Sequence, residues 1–90
     1  MTDHGNVRSF KAEAFKKRLE KLSAQSVITD ADFADVVYTA ITEFGISEED
    51  FRDTFGMTKG AVERWMNVKN LPQPSVRAKI LAWVESQLPV

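Results

Sequence analysis

The side chains able to do chemistry are spread unevenly along this ninety-residue chain. Between positions 8 and 21 six bases (Arg8, Lys11, Lys16, Lys17, Arg18 and Lys21) face only Glu13 and Glu20, a local balance of +4. Cations at this density suit anionic oxygens such as phosphates, and equally suit a solvated helix face that keeps the chain soluble. Residues 22–44 carry Asp30, Asp32, Asp35 and Glu43 with no base, and residues 45–90 balance at zero, so the net charge is −1. Catalytic chemistry has little to draw on. The one histidine, His4, stands in a polar N-terminal stretch, so no histidine dyad, triad or metal cluster can form. Without cysteine there is no thiolate nucleophile, thiolate metal site or disulfide. The carboxylates fall at helix starts and on exposed faces, and no glycine-rich phosphate loop is present. The sequence therefore predicts no enzyme, no metal and no cofactor.

These side chains need elements to position them. Ninety residues make one domain. A chain of this size buries a little over ~60% of its unfolded surface, enough to fold without staples. The apolar share of 43% and charged share of 28% are those of an ordinary globular protein. No apolar run nears the ~18 residues of a membrane span, and the N-terminus has no signal-peptide core. The expected location is the cytoplasm, with no membrane partner.

The pattern predicts a compact all-α domain of five helices over residues 9–90, preceded by a flexible arm at 1–8. Ala12, Phe15, Leu19 and Leu22 form one stripe and predict a first helix from Ser9, its cap, to Leu22. Thr29 with Asp32 predicts a capped start for a second helix, with Phe33, Val36, Val37, Ala40, Ile41 and Phe44 inward and Gly45 as its left-handed end. Ser47 with Asp50 starts a third helix at 48–55, with Phe51 and Phe55 on one face and Gly56 as its stop. Thr58 is the expected cap of a fourth helix at 59–67, with Val62, Trp65 and Met66 inward. After the loop NVKNLPQP, Pro74 opens a fifth helix to Gln87, with Val76, Ile80, Trp83 and Val84 inward.

The corner FGMTKGAVERW at 55–65 decides what the functional reading can be. Short helix, glycine turn and short helix follow one another there. Together with the Val-x-x-Trp of the fourth helix, the Lys-Asn-x-Pro loop and the amphipathic fifth helix, residues 46–84 resemble the DNA-binding domain of the lambda-repressor-like (XRE) family. The resemblance implies a helix-turn-helix at 47–67 whose second helix enters the major groove by its N-terminal end. It implies DNA contacts from Thr58, Lys59, Gly60 and Arg64 on that helix and from Lys69 and Asn70 in the loop, and a transcriptional regulator that binds a palindromic site as a homodimer. Independently of the resemblance, the basic first helix offers Lys11, Lys16, Lys17 and Arg18 as phosphate or partner contacts, and the unpaired apolar residues Phe10, Leu88 and Val90 are candidate pairing residues.

Three features depart from the family pattern. Arg52 stands where the family carries a small residue at the helix crossing. Glu48, Glu49 and Asp50 precede the turn, and Glu63 sits on the reading helix; these carboxylates oppose a phosphate rail. They support a second reading, a helix-turn-helix scaffold turned to protein binding. Such an antiactivator or antirepressor would sequester a transcription factor, for example a quorum-sensing activator.

Overall fold

A computed structural model describes the backbone of residues 3–89 and the side chains from Phe10 to Pro89. Five helices follow in order: α1 (Asp3–Ser23), α2 (Asp30–Phe44), α3 (Glu48–Phe55), α4 (Ala61–Met66) and α5 (Pro74–Ser86). No strand occurs among the described residues, so the expected all-α class is what the chain adopts. Met1, Thr2 and Val90 lie outside the described residues, as does the side chain of His4.

Local chemistry sets most of the helix ends. The Thr29 hydroxyl accepts the Asp32 amide at 3.1 Å and starts α2. At α3 the exchange is reciprocal: the Ser47 hydroxyl accepts the Asp50 amide at 3.0 Å and the Asp50 carboxylate accepts the Ser47 amide at 3.4 Å. Gly45 (φ 70°) and Gly56 (φ 65°) close α2 and α3 in the left-handed region that a Cβ disfavours.

Three boundaries differ from the sequence pattern. The first helix begins at Asp3, not at Ser9, so residues 3–8 are helical backbone where a flexible arm was expected. No proline lies between Asp3 and Ser9, and once a turn has formed each further residue adds a hydrogen bond, which offsets the cost of Gly5. The fourth helix begins at Ala61, with Gly60 rather than Thr58 at its cap position. In α5, Val76 is exposed while Leu81 is buried, and Leu88, just beyond the helix, is buried as well. The inward position of the first turn of α5 is taken by Arg77 instead.

Arg77 explains that phase. Its side chain is only 11% exposed. Nη1 donates to the Ile28 carbonyl at 2.7 Å and pairs with Asp30 at 2.8 Å, and Nε donates to the Pro72 carbonyl at 2.8 Å. The guanidinium also lies 5.9 Å from the centre of the Phe33 ring. One cation thereby joins the α1–α2 loop, the start of α2 and the loop before α5.

The core is otherwise apolar; among the described residues no polar or charged side chain is buried. Phe33, Phe51, Leu19, Ile80 and Leu81 are its largest fully enclosed members. Aromatic pairs fix the helix crossings. Phe15 of α1 stacks on Phe44 of α2 at 5.1 Å, and Phe33 of α2 meets Trp65 of α4 edge-on at 5.4 Å. Phe51 and Phe55 of α3 meet Trp83 of α5 at 4.9 and 5.5 Å. Both tryptophans are thus packing residues, as their place in the helical period predicts. The main partner of α1 is α5, while α4 packs on α2 and α3.

Arg77→Ala should lower the unfolding free energy by roughly 2–3 kcal/mol, because two carbonyls lose a charged donor. Arg77→Lys should recover less than half of that loss, since an ammonium cannot reproduce the planar fork. Urea denaturation of the three proteins checks both outcomes.

Candidate nucleic-acid interface

α3, the connection Gly56–Gly60 and α4 form the corner. Phe51 and Val62, both fully buried, hold its two helices on the core, and half-buried Met57 fills the turn. The turn itself is backbone chemistry. The Ala61 amide donates to the Thr58 carbonyl at 3.2 Å, across Lys59 and Gly60. Gly60 has φ 88° and ψ −9°, the values required at the third position of a type II turn. Thr58 consequently contributes its carbonyl to the turn, and its hydroxyl caps nothing. The delay leaves α4 six residues long, about 9 Å at the usual rise.

The far end of α4 closes by a second backbone device. The Val68 amide donates to the Trp65 carbonyl at 2.9 Å and the Lys69 amide to the Arg64 carbonyl at 2.8 Å. This pair of bonds defines a Schellman end with Val68 in the left-handed position. Val68 has φ 58° and Asn70 φ 49°. The Asn70 carbonyl then accepts the Trp65 indole N–H at 3.2 Å, tying the loop to the core aromatic.

These two devices bound the segment that carries the six residues that the family resemblance nominates. Thr58, Lys59, Arg64, Lys69 and Asn70 are all exposed, and Gly60 is half-buried at their centre. A Cβ built on Gly60 would lie 3.3 Å from Nη1 of Arg64, so the guanidinium rests against this glycine, next to Lys59. A backbone bond from Lys69 to the Arg64 carbonyl holds the third cationic residue near the end of the same helix. Among the described residues the only ion pairs are Arg18–Asp35 and Arg77–Asp30, so Lys59, Arg64 and Lys69 have no carboxylate within bonding reach. Over residues 57–73 these three bases oppose Glu63 alone, a local balance of +2.

The second group of candidates sits elsewhere. Arg18 pairs with Asp35 of α2 at 2.6 Å. Lys16 lies at the α1–α5 seam, close enough to lower the pKa of Glu85. Lys11 and Lys17 are exposed on the same helix, and a shallow open depression runs past Glu13, Lys16, Lys17 and Glu20. The positive charge of α1 is therefore interleaved with acid, and its main packing is against α5 rather than the corner. Of the candidate pairing residues, Leu88 is buried in the core, Phe10 is 74% exposed, and Val90 lies outside the described residues.

The seam has one perturbed group. The Glu85 carboxyl is held above its ordinary 4.5 by desolvation first, then by the neighbouring Glu20 carboxylate, with Lys16 opposing. A raised carboxyl pKa means that the folded state keeps its proton longer than the unfolded chain. The stability contributed by this pair is therefore present below about pH 4.5 and lost as pH rises through the raised value.

Sequence reasoning missed three residues that shape this region. Arg77 reads as a surface residue in the sequence, although a base three places after an N1 proline is visible. Gly60 was taken for a helical residue, although a glycine four places after Gly56 signals a second special turn. Val68 carried no signal, because valine is a poor choice for the conformation it adopts. No family model, no curated protein and no solved structure matches the chain.

Gly60→Ala should destabilise the fold by about 1–2 kcal/mol through its positive φ, measured as a lower midpoint in urea. Glu85→Gln should raise the melting temperature at pH 7 and leave it nearly unchanged at pH 4. Solvent screening keeps the gain below about 1 kcal/mol.

Proposed function

We propose that the chain is a small helix-turn-helix regulator that binds DNA sequence-specifically through the α3–α4 corner. The observation that supports this reading best is the exposed group of Lys59, Arg64 and Lys69, which pair with no carboxylate among the described side chains and flank a short helix bounded by the Gly60 and Val68 turns. Cations without internal partners can neutralise phosphates and release counterions, which supplies most of the affinity of such contacts. Thr58 and Asn70 add hydrogen-bonding groups at the two ends of α4. The short α4 would reach base edges by its first turn, as in the lambda-repressor-like family that residues 46–84 resemble. A domain of this size covers one half-site, so two copies on a palindrome belong to the reading. Phe10, 74% exposed, is a candidate for their contact. A cytoplasmic location and the absence of catalysis are part of the same proposal.

One observation favours the alternative, an antiactivator that binds a transcription factor. Glu49 and Asp53 of α3 are exposed beside the corner and Glu48 is half-buried there, so one flank of the surface is acidic. A basic protein surface would meet that flank more readily than a phosphate rail.

Fluorescence anisotropy with DNA selected from a random pool separates the two. The DNA reading expects saturable binding whose affinity falls steeply between 50 and 200 mM salt, and a salt slope reduced by about 1 in Arg64→Ala. No binding to any selected sequence at 50 mM salt would reject it.

A further inference from the structure

Val68 occupies a position that its side chain does not suit. At the left-handed residue of a Schellman end glycine is the usual occupant, because a Cβ there crowds the following carbonyl. A β-branched residue with φ 58° is a clear outlier. Burial does not compensate: Val68 is 49% exposed and does not belong to the apolar cluster of the core or to the residues packed on it. Hydrogen bonding explains the backbone conformation, since Val68, Lys69 and Asn70 all hold partners in α4. It does not explain the valine, because glycine would allow the same bonds at lower cost. Such strain is stored where a side chain is needed for something other than folding.

The neighbours indicate what that is. Val68 directly precedes Lys69, whose amide is bonded to the carbonyl of Arg64. An apolar branched side chain is thus held at the rim of a cationic surface and half in the open. On DNA, the apolar group such a residue can recognise in the major groove is the 5-methyl of thymine. Resting on the DNA-binding reading above, we propose that Val68 is a specificity-determining residue that contacts a thymine methyl in each half-site.

Uracil differs from thymine only by that methyl. In the selected site, each thymine is replaced in turn by deoxyuridine, and affinities are measured for the wild type and for Val68→Gly. The wild type should lose about fourfold at one thymine per half-site, the scale of one buried methyl group. Val68→Gly should bind the thymine site more weakly, show no further loss at that uracil, and melt several degrees higher.

A wild-type profile flat at every thymine overturns the assignment whatever the variant does. So does a Val68→Gly protein that keeps the same uracil sensitivity. A wild type that binds no DNA overturns the functional reading and this inference with it. Binding with an unchanged uracil profile overturns this inference alone.

Discussion

The corner depends on the indole of Trp65. Its ring must leave water, and it does so edge-on against Phe33, which sets α4 against α2. Its N–H must then find an acceptor inside the protein, because an unmatched buried donor costs more than a matched one contributes. No side chain supplies that acceptor; the Asn70 carbonyl does. To bring Asn70 back within reach of Trp65 five residues earlier, the chain must reverse as soon as α4 ends. Val68 and Asn70 adopt positive φ in that reversal. The point where α4 stops, the positive φ at Val68 and the backbone bond from Lys69 to Arg64 accompany one aromatic side chain that is apolar over its faces and polar at one edge.

Arg77 has the complementary role at the other end of the loop. Its three donor contacts reach Ile28, Asp30 and Pro72, residues from two connections and one helix start. The segment 67–73 is therefore fastened at Asn70 by Trp65 and at Pro72 by Arg77. A seven-residue loop with two such anchors has few ways to move. This matters for any surface that must meet a partner in a set geometry, since ordering already done in the free protein is not charged against binding.

The fold was legible wherever side chains announce helix ends or a face repeats at the helical period. Thr29, Ser47, Gly45 and Gly56 mark the bounds of α2 and α3, and the stripes of α1 and α2 are the buried ones. The start of α4 was not legible, because threonine is a favoured cap while the deciding interaction, Thr58 carbonyl to Ala61 amide, is made by groups every residue carries. The phase of α5 was misread for a related reason. An inward arginine looks like a surface residue until the carbonyls it serves are seen. Of the candidate contacts, Gly60 and Arg64 lie against each other at the corner, whereas Lys16 and Arg18 lie among acids of α5 and α2. Proximity in the sequence indicated the first group; the second needed the tertiary arrangement, which periodicity alone does not contain.

At the corner, Nη1 of Arg64 occupies space only 3.3 Å from where a Cβ at position 60 would stand. A larger residue at position 60 would disturb two things at once, the turn and the place of the guanidinium. The absence of a single Cβ thus leaves the turn its positive φ and the cation its room.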